Sequence, residues 1–255
     1  MIYLAKICVK RNYHDISRYV NKVTLRRQAG CYTFAMHAFI FDLDGTLIDT
    51  VYAHVFSWQR TFEEFGMPIE GWRIHRRVGM SGAQFVRAVT REVERELTPA
   101  EIEDLQERHT KIYAEILPKP RPLPGAIELL RVLKETGVTY GIATSGERPE
   151  INASLEAIEV SADVIVIDSG CVEQTKPAPD LFLTCRERLG VSPLETYVVG
   201  DAVWDVLAAR RAGMLSVGLL SGGYGEDELT KAGAYRVYKD TSELLTALDE
   251  LGVLD

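Results

Sequence analysis

From residue 38 onward, short apolar runs rich in β-branched residues alternate with longer segments of helical period, and no other feature limits the fold as much. The runs are Ala38–Phe41, Tyr140–Thr144, Val164–Asp168, Tyr197–Gly200 and Leu215–Leu219. Between them the spacing predicts helices over Ala126–Thr136, Pro149–Ile158, Pro179–Leu189 and Val203–Ala212. Three of these are followed by a glycine suited to a helix C-cap, namely Gly137, Gly190 and Gly213. Strands that alternate with helices build an α/β protein around a parallel sheet.

The rhythm breaks once, because no strand pattern appears between the first two runs. Tyr52–Phe65, Ala83–Glu96 and Pro99–Ile116 have helical spacing, with Leu105, Ile112 and Ile116 on one apolar face. This interval is expected to be an inserted helical bundle over residues 51–120, leaving a core of residues 37–50 and 121–255. Ile48-Asp49-Thr50 is the outgoing link. The proline-rich stretch from Pro118 to Gly125 cannot continue a helix and reads as the return.

Composition sets the outer bounds. The chain of 255 residues carries a formal charge of −8, yet residues 1–35 hold seven Lys or Arg against a single acid, Asp15. The rest is therefore strongly acidic, which argues against a nucleic-acid partner. The basic head, residues 1–36, is poor in Ser for a transit peptide and reads as a poorly ordered extension or an upstream mis-start before Met36. Apolar runs such as Leu215–Leu220 fall far short of the roughly 20 residues that a membrane-spanning helix needs. Cys8, Cys31, Cys171 and Cys185 show neither CxxC pairing nor metal-ligand spacing, so reduced thiols in the cytoplasm are expected.

Four pieces of sequence stand at ends of predicted strands, where ligands bind in open parallel sheets. In Phe41-Asp42-Leu43-Asp44-Gly45-Thr46, strand period puts both carboxylates on one side and Gly45 permits the turn that follows. Adjacent carboxylates repel unless a divalent cation or a shared proton separates their roles. Thr144-Ser145-Gly146 can offer hydroxyls and backbone N–H groups to a phosphate. Lys176, held between Thr175 and Pro177 just before a helix, can neutralise phosphate charge. In Gly200-Asp201-Ala202-Val203-Trp204-Asp205, a carboxylate closes a strand and another lies in the first turn of the next helix. Hard oxygen ligands without His or Cys select magnesium over zinc. Singly, each piece also fits an ordinary turn, cap or solvated side chain.

Together and in this order the four pieces resemble the haloacid dehalogenase superfamily from about residue 37 to residue 240. The resemblance implies a Rossmann-like parallel sheet core with an inserted α-helical cap domain. It implies Asp42 as nucleophile, Asp44 as general acid and base, and Thr144 and Lys176 at the phosphate. It also implies Mg²⁺ held by Asp42, the Asp44 backbone carbonyl and Asp201, with Asp205 in support. Ala202 stands where the family commonly has Ser or Thr, which removes a hydroxyl but no ligand. The insert occupies the cap position of the subgroup that contains phosphoglycolate phosphatases and β-phosphoglucomutases.

The expected activity is magnesium-dependent hydrolysis of a small phosphorylated metabolite through an aspartyl-phosphate. A phosphomutase with the same residues is the alternative. Asp44 separates the chain from dehalogenases and phosphonate-cleaving relatives, which lack Asp there. Within the cap, Arg76, Arg77 and Ser81 are the candidates for reading the rest of the substrate, and Ser145 joins Thr144 as a substrate-binding candidate. His54 and His75 read as surface or packing residues.

Overall fold

A computed structural model describes residues 25–28, 31–34, 38–80 and 82–253. Strands β1 (Leu25–Gln28) and β2 (Cys31–Phe34) pair antiparallel as a separate two-stranded sheet. The rest of the expected N-terminal extension, and Ser81, lie outside the described residues.

The core sheet comprises β3 (Ala38–Phe41), β4 (Thr139–Ala143), β5 (Ile165–Ile167), β6 (Thr196–Gly200), β7 (Leu215–Leu219) and β8 (Arg236–Tyr238). Its order is β5-β4-β3-β6-β7-β8 and every pairing is parallel. The short strand β8 has no apolar run of its own and escapes the sequence pattern. Strand β3 is buried on both faces, so its apolar residues serve two cores. Phe39 and Phe41 pack with Leu129 and Leu133 of α5 (Ala126–Glu135) and Leu244 of α10 (Thr241–Thr246). On the other face, Ile40 packs with Leu181 and Phe182 of α7 (Asp180–Leu189) and Ala208 and Ala209 of α8 (Val203–Arg211). Small alanines let α8 lie close to the sheet, and the core also carries α6 (Asn152–Ala157) and α9 (Glu226–Ala232).

Between β3 and α5 run α1 (Val51–Glu64), α2 (Gly71–His75), α3 (Gly82–Glu92) and α4 (Pro99–Ile116). They enclose an apolar cluster of their own, with Trp58, Phe62, Phe85 and Leu105 at its centre. Helix α4 starts on a capping box in which Thr98 accepts from Glu101 N and Glu101 accepts from Thr98 N. The predicted helix after Ala83 stops earlier than its apolar period suggests, near Glu94, whose φ of 55° is left-handed. The two links lie side by side: Asp49 N donates to Arg121 O at 2.9 Å and Leu123 N to Leu47 O at 2.9 Å. Among the described residues, no helix is long and apolar enough to cross a membrane.

The register brings the strand ends level. Phe41 pairs with Ile142 on one side and with Val199 on the other. The chain moves outward from β3 through β4 to β5, then returns to place β6 on the opposite edge of β3. The crevice above β3 and β6 is therefore the switch point where open α/β sheets bind ligands.

Candidate active site

Asp42 leaves β3 with its N–H donating to Val199 O at 2.8 Å, so the ladder holds the residue in place beyond the strand. Its side chain is buried, 4% exposed. Lys176, fully buried in the loop before α7, forms an ion pair with Asp42 and a second with Asp205 at 2.9 Å. Its Nζ also lies 5.5 Å from the centre of the Phe182 ring. Burial penalises the ammonium, but Asp205 and Asp42 outweigh that penalty and hold it above its ordinary range. Burial raises Asp42 above the usual carboxylate range; Lys176 opposes this, and Asp205 and Asp44 add to it.

Asp201 and Asp205 complete the acidic group. Asp201 accepts from Thr46 Oγ1 at 2.8 Å, and burial followed by the charges of Asp205 and Asp42 pushes its carboxyl well above the usual range. Asp205 caps α8, accepting from Ala202 N at 3.0 Å. Oxygens of Asp42, Asp201 and Asp205 lie within 4.8 Å of one another. One ammonium leaves two negative charges uncompensated among three buried carboxylates, and a divalent cation would balance them. A cavity of about 10 Å³, lined by Asp42, Asp44 and Asp201, is about the size of one small occupant. The donor set and the space both fit a divalent cation. Glycines make the approach possible: a Cβ on Gly222 would lie 1.8 Å from Asp201 Oδ2, and one on Gly45, at φ +81°, would lie 2.4 Å from it. Gly222 was not legible beforehand, although Ser221-Gly222-Gly223 after a predicted strand carries the same turn signal as Gly45.

Asp44 sits apart from that group. Thr50 Oγ1 donates to its Oδ1 at 2.7 Å, and His54 Nε2 approaches the same oxygen at 3.6 Å. Burial alone would raise Asp44; His54 and Thr50, with the charge of Lys176, more than offset it and hold the carboxyl below its ordinary range. His54 is correspondingly raised, the attraction of Asp44 outweighing burial. His54 is thus a packing residue that also faces Asp44. Its place four residues after Thr50, one helical turn on, carries meaning only once Thr50 is known to bond Asp44. Behind it, His54 Nδ1 and His109 Nε2 lie 3.3 Å apart, and burial holds His109 well below its usual range. Ligand atoms of His54, His109 and Glu150 also come within 4.8 Å of one another.

Thr144 Oγ1 stands 3.5 Å from Asp44 Oδ2 and accepts from Gly146 N at 3.0 Å. These residues line a cavity of about 610 Å³ closed on its far side by the helical insert, with Trp58, Val78, Met80 and Phe85 contributing apolar wall. Ser145, which lines it too, donates to Gly79 O of the insert at 2.8 Å. The expected cap arginines are elsewhere. Arg76 pairs with Glu228 at 2.8 Å and lies over the Tyr224 ring, while Trp204 Nε1 and the Tyr224 hydroxyl donate to its carbonyl at 3.2 and 3.1 Å. Arg77 pairs with Glu92 within the insert. Neither lines the cavity. Opposite charges on neighbouring surfaces hold them there. His75 also joins insert to core, donating from Nε2 to Gly222 O at 2.8 Å.

Comparison with known proteins agrees with this geometry. The profile of the haloacid dehalogenase-like hydrolases matches residues 39–219. A β-phosphoglucomutase of Bacillus subtilis is 32% identical, over 84% of this chain and 93% of its own length. A phosphoglycolate phosphatase of Agrobacterium fabrum is 31% identical over 83% of this chain and 91% of its own. The crystal structure of a hydrolase from Pseudomonas syringae superposes with a TM-score of 0.80 at 42% identity, covering 84% of this chain and 98% of that one. The chain belongs to the haloacid dehalogenase-like hydrolases.

Proposed function

We propose that the protein is a magnesium-dependent phosphatase that hydrolyses a small phosphate monoester through an aspartyl-phosphate on Asp42. The observation that carries this reading is the Asp42–Lys176–Asp205 contact beside Asp201, at the switch point of the sheet, with Asp42 and Lys176 lining the cavity between core and insert. Asp42, Asp201 and the Asp44 carbonyl would hold Mg²⁺, with Asp205 in support. When bound, the ion supplies positive charge that lowers repulsion between Asp42 and the phosphoryl oxygens.

The chain's own residues do the rest. Lys176 holds Asp42 in place and adds positive charge beside it. Asp42 attacks phosphorus in line with the leaving oxygen, which takes a proton as the ester bond breaks. Asp44 delivers that proton. Its low resting affinity for a proton is matched by the raised affinity of His54 beside it, so the pair holds one proton between them. Asp44 then takes a proton from the water that hydrolyses the aspartyl-phosphate, and orthophosphate leaves. We further propose that the insert of residues 51–120 acts as a cap that excludes bulk water, Ser145 and His75 fastening it to the core. The free thiols of Cys171 and Cys185 suit a cytoplasmic setting.

The similarity to a β-phosphoglucomutase favours a second reading, in which the same residues return the phosphoryl group to a sugar. Release of orthophosphate from p-nitrophenyl phosphate and from a panel of phosphorylated metabolites, with Mg²⁺ and with chelator, tests the proposal. Magnesium-dependent release is expected. Sugar-phosphate isomerisation without release would favour the mutase.

A further inference from the structure

The cavity wall away from Asp42 has a one-sided charge. Its carboxylates include the half-buried Glu150 and, toward the open side, the exposed Glu107, Glu147 and Glu173. Its cations, among the described residues, are already matched. Lys176 is bound between Asp42 and Asp205, and His54 faces Asp44. Lys111 lies at the exposed rim, 3.6 Å from Glu107. His109 is buried behind His54 and disfavours a charge of its own. Among the described residues no arginine lines the cavity, because Arg73 and Arg77 are paired with Glu92 and Arg76 with Glu228. Beyond Glu107 and Lys111 at the rim, the insert contributes mainly neutral or apolar groups: Trp58, Val78, Met80, Phe85 and the Gln106 amide.

A substrate with a second phosphate or a carboxylate would set that anion against this wall, where among the described residues only Lys111 at the rim, beside Glu107, could receive it. Desolvating an unpaired anion among carboxylates is costly, and like-charge juxtaposition discriminates strongly between ligands. We infer that the esterified alcohol carries no second anionic group and is uncharged or ammonium-bearing, its carbon body resting on the Trp58–Met80–Phe85 side. This inference rests on the phosphatase reading and narrows its substrate class. It also bears on the mutase alternative, since moving a phosphoryl group between two hydroxyls of one sugar passes through a bisphosphate. A bisphosphate needs the second anion site that this wall does not offer.

Esters matched in size and differing in charge test the inference. 2-Phosphoglycolate, 2-hydroxyethyl phosphate and phosphoethanolamine form one set; 6-phosphogluconate and glucitol 6-phosphate form another. Each is ranked by kcat/KM, or by its inhibition constant against p-nitrophenyl phosphate where turnover is slow. The neutral and ammonium-bearing members are expected to exceed their carboxylate counterparts by at least about tenfold. In Thr110→Arg, which adds a cation to the wall, that gap is expected to narrow. Equal or better use of the carboxylate esters would overturn the inference while Asp42-dependent hydrolysis of p-nitrophenyl phosphate kept the phosphatase reading intact. Failure to hydrolyse p-nitrophenyl phosphate under any metal condition would overturn both.

Discussion

The ammonium of Lys176 lies 2.9 Å from Asp205 Oδ1 while pairing on its other side with Asp42, and all three side chains are buried. Removing one partner of a buried ion pair leaves the others uncompensated, at a cost of about 3–5 kcal/mol. Lys176→Met is expected to lose stability on that scale in chelator, measured by urea unfolding, and to regain part of it when Mg²⁺ is added. A variant as stable as the wild type in chelator would contradict the electrostatic account of the site.

Asp44 stands apart from the acidic group and lines the cavity, and the proposed mechanism makes it the proton donor to the leaving oxygen. Asp44→Asn is expected to lower kcat for alkyl phosphates by about 10²–10⁴-fold. The loss for p-nitrophenyl phosphate should be smaller, since that leaving group departs without a proton. Equal losses for the two ester types would remove Asp44 from the proton-donor role.

The His54–Asp44 pair also links stability to pH. His54 is raised in the folded protein, so its contribution is complete below the unfolded value of 6.5 and is lost as pH rises through the folded value. Asp44 is lowered, so its contribution is present above the unfolded value of 3.8 and is lost as pH falls through the folded one. Together they favour the folded state most between those limits. His54→Gln is expected to flatten the fall in unfolding free energy above pH 6.5, read from denaturant midpoints across a pH series. An unchanged slope would show that the pair is not charged in the folded state.

Among the contacts that fasten the insert are four hydrogen bonds to backbone carbonyls: Ser145 to Gly79 O, His75 to Gly222 O, and Trp204 and Tyr224 to Arg76 O. Each is worth about 0.5–1.5 kcal/mol. Tyr224→Phe removes one without emptying its packing against Ala202 and Val206. It is expected to raise KM several-fold with little change in kcat, because closure is weakened and the reacting groups are untouched. A fall in kcat at constant KM would place Tyr224 in the chemical step instead.

The limits of the sequence reading follow from which interactions are local. The buried strands were legible because they are continuous apolar runs, Asp42, Asp44 and Asp201 because they follow strand ends beside special turns, and Lys176 because it is set before Pro177 and Pro179 at the start of a helix. Pro99–Ile116 matched its predicted span because Thr98 and Glu101 cap it locally. His54 did not stand out, since a lone histidine in a helix says nothing until α1 is laid against Asp44. Arg76 and Arg77 looked like a substrate clamp because their partners, Glu228 and Glu92, are 152 and 15 positions away. Charge pairing across that distance is a property of the packed molecule, not of the segment.

The nucleophilic role of Asp42 is the claim on which the rest depends. Acid quenching during turnover of p-nitrophenyl phosphate with Mg²⁺, followed by peptide mass spectrometry, reads it directly. Phosphate on Asp42 in the wild type, with neither label nor turnover in Asp42→Asn, is the predicted result. Phosphate on another residue, or hydrolysis that survives Asp42→Asn, would contradict it.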